Sequence, residues 1–408
     1  MRCLQGRRHA AVLVRASATA APPPASTQTS WLTTLKKRLQ LFLTNLAIDA
    51  VRDKNGILAL AARFPPKVQQ TFVDLFNCYV EQVTLGVGDA AEAEARSVSI
   101  FKEMVRSYAG QLLDPYEFPS YHTAMRQPID YYALGNSYVG ALVDWRRSLL
   151  RNPQRWTVIQ QQLDAGDNVI LLANHQSEAD AAFIPLLTEA SHPGLGERVI
   201  YVAGDRVVTD LMAKPFSMGR NLLCVHSKKH IDDDPALKPA KQRQNLRTLK
   251  EMERLLKEGG KLLWIAPAGG RDRVRDGVLL PDTFDPGAVE MMKRLGTKKG
   301  AAKTHYYPFA MATYFVMPPP EKLEKSLGEK REVRFTGVGL SVGPEFDVTD
   351  AGVWATTLSA DATPEARQEA LAKAVHAAVT DEFNAISGCM GTGSDYPLPA
   401  ECARPWQR

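Results

Sequence analysis

Asn168-Val-Ile-Leu-Leu-Ala-Asn-His175-Gln-Ser-Glu-Ala-Asp180 opens on an apolar run and closes on polar, turn-forming residues. The run reads as a short buried strand over 168–173 that stops at Asn174. A turn then carries His175, and a helix opens near Glu178. His175 and Asp180 form a His-x4-Asp pair. On an uninterrupted helix this spacing separates the two side chains, because helical neighbours lie three or four residues apart. Across a strand-to-helix turn, a helix that folds back can return the carboxylate to the imidazole. A carboxylate on one ring nitrogen leaves the other basic, as a general base for a hydroxyl group requires. Context matters, because the chain holds a second such pair, His376 and Asp381. That copy sits in an Ala-rich helical run, Pro364 to Phe383, with no strand before it, and is read as surface chemistry without consequence.

Beyond this stretch, strand and helix signals alternate. Strands are expected at 198–203, 221–226, 261–266, 305–310 and 333–342. Helices are expected at 156–165, 179–190, 241–258 and 285–295. Such alternation predicts an α/β domain around a largely parallel sheet, with ligands at the carboxyl ends of its strands. Residues 31–113 instead carry helical periodicity throughout, with helices expected over 31–46, 68–85 and 90–113. Asp114-Pro-Tyr-Glu-Phe-Pro119 breaks the pattern. The expected organisation is a leader over 1–30, a small N-terminal helical bundle over 31–114, a larger α/β domain over 115–390 with a mostly parallel or mixed sheet, and a tail over 391–408.

Two further strand ends run into cations. Cys224-Val-His-Ser-Lys228-Lys229-His230 follows one, and Ile265-Ala-Pro-Ala-Gly269-Gly270-Arg271-Asp272-Arg273 follows the other. Gly269-Gly270 lets backbone amides approach an anion closely. Arg271 and Arg273 alternate with Asp272, so an extended segment points both guanidinium groups to one side, where they match phosphate oxygens. Local ion pairs are the competing reading of these charges. No aromatic residues interleave with the cations, as single-stranded nucleic acid would call for. The helix over 241–258 aligns Arg243, Arg247, Lys250, Arg254 and Lys257 in one basic stripe. It is either a solvated face or a docking surface for an acidic partner.

The first 30 residues hold Arg2, Arg7, Arg8 and Arg15, are rich in Ala, Ser, Thr and Pro, and lack acids; the first acid is Asp49. This is the composition of an organellar transit peptide. Those arginines account for most of the formal +5, leaving about +1 for the rest, which argues against generic nucleic-acid binding. Residues 214–275 carry fifteen Lys and Arg against seven Asp and Glu, an asymmetry that suggests an anionic ligand or partner there. No apolar run approaches the roughly 20 residues of a membrane span. Five scattered cysteines, Cys3, Cys78, Cys224, Cys389 and Cys402, support neither a zinc site nor a disulfide framework.

The ordered set of Asn-His-Gln-Ser-Glu-Ala-Asp (174–180), Val-Ala-Gly-Asp-Arg (202–206), Lys-Pro-Phe-Ser-Met-Gly-Arg-Asn-Leu (214–222), Ser-Lys-Lys-His (227–230) and Ile-Ala-Pro-Ala-Gly-Gly-Arg-Asp-Arg (265–273) closely resembles the soluble plastid glycerol-3-phosphate acyltransferases of plants and algae. The likeness covers most of 60–390, including Asp114-Pro-Tyr-Glu-Phe and Gly328-Glu-Lys-Arg. It implies acyl transfer from acyl-(acyl carrier protein), or acyl-coenzyme A, to the 1-hydroxyl of glycerol 3-phosphate. It also implies that His175 is the base, Asp180 its orienting partner, and Lys229, His230, Arg271 and Arg273 the phosphate ligands. No metal and no cofactor beyond the donor's phosphopantetheine is implied. The expected protein is a stromal monomer that docks acyl carrier protein transiently, binds no nucleic acid, and touches a membrane at most peripherally. Membrane lysophosphatidate acyltransferases usually carry Phe-Pro-Glu-Gly-Thr-Arg where this chain has Ala266-Pro-Ala-Gly-Gly-Arg271, and the missing Glu favours the soluble branch. Oxyanion donors are sought among backbone amides at the helix start. Competing readings are a lysophosphatidate acyltransferase at a membrane surface, a non-catalytic binder of acyl carrier protein or phospholipid, and a metal hydrolase using His175, Asp180 and His226.

Overall fold

The computed structural model describes residues 31–226, 231–232, 234–319, 331–390 and 397–407. The leader over 1–30, Lys228, Lys229, His230 and Gly328 lie outside the described residues. Four helices come first: α1 (Trp31–Asp49), α2 (Lys54–Ala61), α3 (Pro66–Val87) and α4 (Ala90–Leu113). Then follow β1 (Tyr121–His122), α5 (Tyr131–Gly140), β2 (Leu149–Arg151), α6 (Pro153–Asp164), β3 (Asn168–Ala173), α7 (Asp180–Thr188) and β4 (Val199–Gly204). The middle of the chain supplies α8 (Asp205–Thr209), α9 (Lys214–Met218), β5 (Asn221–Val225), α10 (Lys238–Glu258), β6 (Leu262–Ile265) and the small hairpin β7 (Val274–Arg275) and β8 (Val278–Leu279). The last elements are α11 (Pro286–Thr297), β9 (Thr304–Ala312), β10 (Gly339–Val342), α12 (Pro364–Asn384) and β11 (Cys402–Ala403).

Among the described residues the main sheet has nine strands in the order β1-β5-β4-β6-β3-β9-β10-β2-β11. Its centre, β5-β4-β6-β3-β9, is parallel. The antiparallel pairs are β1 with β5, β9 with β10, and β11 with β2, so the sheet is mixed. Helices cover both faces, which is why the central strands are apolar without interruption. In β3 every residue is buried. Val169, Leu171 and Ala173 face one core, together with α3, α4, α5 and α7; Ile170 and Leu172 face the other, with α10, α11 and α12. That alternation is the strand's period of two, read on both sides at once.

The N-terminal helices share the first core. Phe76 and Tyr79 of α3 pack on Phe101 of α4, and Tyr79 stacks on Tyr138 of α5 with ring centres 4.7 Å apart. The buried Tyr79 hydroxyl donates to the Tyr138 carbonyl at 2.8 Å. Among the described residues no helix is long and apolar enough to cross a membrane.

The expected strand over 333–342 is shorter than its apolar signal. Only Gly339–Val342 form β10, while Thr336 makes an isolated bridge to Val143. On α10, Arg243, Arg247, Lys250, Arg254 and Lys257 are all exposed, as the stripe predicts. Leu246 is exposed among them, while Met252, Leu255 and Leu256 are buried and Leu249 packs partly buried against the same core.

Candidate active site

The loops leaving β3, β6 and β9, three adjacent strands, are knitted together at the sheet's carboxyl edge. The Asn174 side chain extends the ladder past the end of β3: its oxygen accepts from the Met311 amide at 2.8 Å, and its nitrogen donates to the Met311 carbonyl at 3.0 Å. The Gln176 oxygen accepts from the amides of Thr313 and Tyr314. Both amide nitrogens, Asn174 Nδ2 and Gln176 Nε2, donate to the buried Asp272 carboxylate, at 2.9 and 3.2 Å. These contacts fix the turn before any ligand arrives.

Within that turn His175 Nδ1 lies 2.7 Å from Asp180 Oδ2. The imidazole side chain is 28% exposed and the carboxylate 3%, so one partner is reachable and the other sealed. Asp180 Oδ2 also accepts from the Gln176 amide at 2.7 Å. Its Oδ1 accepts from the Ser177 amide, the Ser177 hydroxyl and the Thr313 hydroxyl. Burial alone would raise the carboxyl pKa, but the His175 hydrogen bond and charge, the Thr313 hydroxyl and the Gln176 amide hold it below the usual range. An ionised carboxylate on Nδ1 keeps that nitrogen protonated and leaves Nε2 as the basic atom. The ring packs edge-on against Trp264 of β6, with centres 5.7 Å apart. Three backbone amides at the start of α7 are already committed within the turn. The amides of Gln176 and Ser177 are bound to Asp180, and that of Ala179 to the Ser177 hydroxyl.

Asp272, read from sequence only as the spacer between two arginines, is fully buried, and its amide donates to the His175 carbonyl at 2.6 Å. Arg271 and Arg273 therefore each lie one residue, about 3.8 Å of chain, from a backbone contact with His175. Both are half-buried. Arg271 Nη1 sits 3.3 Å from Glu178 Oε1. Glu178 in turn accepts from Arg331 Nε at 2.9 Å, and Arg331 Nη2 reaches Asp210 Oδ2 at 2.9 Å. Burial disfavours the charges of Glu178, Asp210 and Arg331, yet Arg331 holds both carboxyls below the usual carboxylate range, with Arg271 helping at Glu178, and the two carboxylates push Arg331 up. Burial of the Asp272 carboxyl pushes its pKa up to about 6 against three donors that favour its ionised form.

Of the expected phosphate ligands, Arg271 and Arg273 lie beside His175; Lys229 and His230 fall outside the described residues. His226, the third member of the hydrolase reading, follows β5, which is separated from β3 by β4 and β6. Among the described residues no group of three His, Cys, Asp or Glu could hold a metal ion. Cys78, Cys224, Cys389 and Cys402 are unpaired, and burial pushes the Cys224 thiol up to about 12. The second His-x4-Asp stays on one helix, α12, where His376 Nε2 donates to the Pro281 carbonyl and Asp381 is exposed.

A buried carboxylate orienting a reachable imidazole at the carboxyl edge of an α/β sheet suits acyl transfer to a hydroxyl, and an Acyltransferase family model matches residues 155–312. The particular family follows from full-length relatives. The chain is 41% identical to the chloroplastic glycerol-3-phosphate acyltransferase of Spinacia oleracea over 84% of its own length and 72% of the relative's. It is 41% identical to that of Arabidopsis thaliana over 81% and 71%, and 39% identical to that of Phaseolus vulgaris over 85% and 74%. The chain belongs to the chloroplastic glycerol-3-phosphate acyltransferase family.

Proposed function

We propose that this protein transfers a fatty acyl group from acyl-(acyl carrier protein) or acyl-coenzyme A to the 1-hydroxyl of glycerol 3-phosphate in the plastid stroma, yielding lysophosphatidate. The observation that carries the reading is the 2.7 Å His175–Asp180 contact beside the turn that bears Arg271 and Arg273. In this mechanism His175 Nε2 takes the proton of the 1-hydroxyl as its oxygen attacks the thioester carbonyl carbon. Asp180 stabilises the imidazolium. The tetrahedral adduct collapses, the carbon–sulfur bond breaks, and the departing sulfur recovers the proton from His175. No acyl-enzyme and no bound cofactor are needed. The phosphate is held by Arg273 and Arg271, with Lys229 and His230 completing the clamp, so that binding energy orients the hydroxyl.

The N-terminal half of α10 supports a carrier protein as donor. Arg243, Leu246 and Arg247 are exposed there, an apolar contact framed by cations, suited to an acidic helical surface. Asn245 binds the backbone of His226 just beyond β5, so this half of α10 lies near the sheet edge that carries His175. β5 is three strand spacings from β3, about 14 Å, a gap that a flexible prosthetic arm can cross.

Thiol release measured with and without glycerol 3-phosphate tests the reaction. Release that ignores glycerol 3-phosphate but follows lysophosphatidate would move the protein to the other acceptor. His175→Ala should lower turnover by about 10²–10⁴-fold, and near-normal turnover would remove His175 as base. Arg243→Glu with Arg247→Glu should raise KM for acyl-(acyl carrier protein) and leave that for acyl-coenzyme A unchanged. Equal effects on both donors would exclude this face as the docking surface.

A further inference from the structure

Among the described residues, α1 leaves an apolar face outside the core. Leu35, Leu39, Phe42, Leu43 and Leu46 are each at least half exposed. At about 100° per residue they fall within one arc of about 100°, roughly 17 Å long at 1.5 Å rise. Leu41 is half-buried and Ile48 buried on a different side of the helix, where α1 packs against α4. The end of α1 is tied down as well: Arg106 pairs with Asp49 at 2.8 Å, and Lys102 donates to the Asp49 carbonyl. The exposed arc is therefore a second apolar stripe on a helix already docked by its first.

The charges that flank the stripe along its length are basic, and the one acid of the helix, Asp49 at its end, is paired with Arg106. Lys36 and Arg38 border it on opposite sides, and both are exposed. Exposed Arg63 joins Lys36, Leu39 and Leu43 in the shallow groove beside it. No acid precedes Asp49 in the chain. An apolar stripe flanked by long cationic side chains is the pattern of a helix lying in a bilayer interface, its lysines and arginines reaching the headgroups while the apolar side chains sink below them. A water-filled surface gains nothing from it, whereas anionic lipid satisfies both features at once.

We propose that α1 is a peripheral membrane anchor whose Leu35–Leu46 face inserts into the interface of an anionic lipid bilayer while its Leu41–Ile48 side stays packed on α4. The anchor is independent of the acyl-transfer reading. If that reading holds, it brings the enzyme to the surface that takes up a single-chain amphiphilic product.

Co-sedimentation of the full chain with vesicles of phosphatidylcholine alone, or mixed with phosphatidylglycerol, tests this without any substrate. All samples retain the Arg-rich leader, so a difference between variants belongs to α1. Binding to the mixed vesicles should fall at least about tenfold in Leu39→Gln with Phe42→Gln, which removes two side chains from the apolar phase. Lys36→Glu with Arg38→Glu should weaken binding to the mixed vesicles and leave the weak binding to phosphatidylcholine unchanged. Thiol release in lipid-free buffer, unchanged in both double variants, shows that the fold is intact. Wild-type binding by both variants overturns the proposal. So does a wild-type dimer that Leu39→Gln with Phe42→Gln dissociates while vesicle binding persists, which would assign the face to a second copy of the chain. Neither failure touches the acyl-transfer reading, which the thiol assay judges alone.

Discussion

Asp180 accepts five hydrogen bonds, from His175, two backbone amides and two hydroxyls, and each carboxylate oxygen meets one backbone amide that can only donate. Asp180→Asn puts an amide N–H against an N–H or O–H whichever way it rotates. Turnover should fall by about 10²–10⁴-fold with KM for glycerol 3-phosphate nearly unchanged, and stability should fall by about 1–3 kcal/mol. Steady-state kinetics and urea denaturation check the two parts, and a raised KM with normal kcat would place Asp180 in binding instead. Asp272 behaves in the opposite sense. Its folded pKa of about 6 lies above the ordinary 3.8, so the native state binds the extra proton between those values. The contribution is therefore complete below about pH 4 and is lost as pH rises through about 6, up to about 3 kcal/mol in all. The stability difference between the wild type and Asp272→Asn should shrink by that order from pH 4 to pH 7. Parallel pH–stability curves for the two proteins would show that Asp272 does not titrate in this window.

The element scale explains which parts were readable in sequence. β3, β5 and β6 announced themselves because strands buried on both faces are continuous apolar runs, and α4 and α12 because their periodicity lasts many turns. β1, β2 and β11 have two or three residues each, too few for any period. The His175–Asp180 pair was legible because both residues sit in one turn. Its braces were not: Asn174 and Gln176 find their partners about 100 and 137 residues away, and only the fold brings those together. Arg331 is the same kind of residue, joining the turn after β3 to the segment after α8 through Glu178 and Asp210. Arg331→Met should cost about 3–5 kcal/mol, because it strands two sheltered carboxylates. It should also raise KM for glycerol 3-phosphate, because Glu178 then has Arg271 alone to satisfy it. Urea denaturation and acceptor kinetics measure both, and a stability change under 1 kcal/mol would mean that water, not Arg331, balances those charges. Arg273→Ala should raise the same KM. A larger effect on the acyl donor than on the acceptor would move the phosphate clamp elsewhere.

At the scale of the molecule, the helical segment over 31–114 and the sheet part are joined by aromatic side chains, not merely by a linker. Phe101 of α4 touches Phe76 and Tyr79, Tyr79 stacks on Tyr138, and Tyr138 packs on Phe216 of α9 at 5.1 Å. The path runs from the first helices to the element that leads into β5. Phe101 is fully buried, so Phe101→Ala opens a cavity worth about 3–5 kcal/mol, a large part of an ordinary domain's 5–15 kcal/mol. A continuous core makes that loss common property. Helical signal and thiol release should therefore decline together in urea, with both midpoints shifted by the same amount in the variant. Were the two parts independent, the variant would lose ellipticity from α1–α4 first, while the sheet part kept releasing thiol at denaturant concentrations where those helices had already melted.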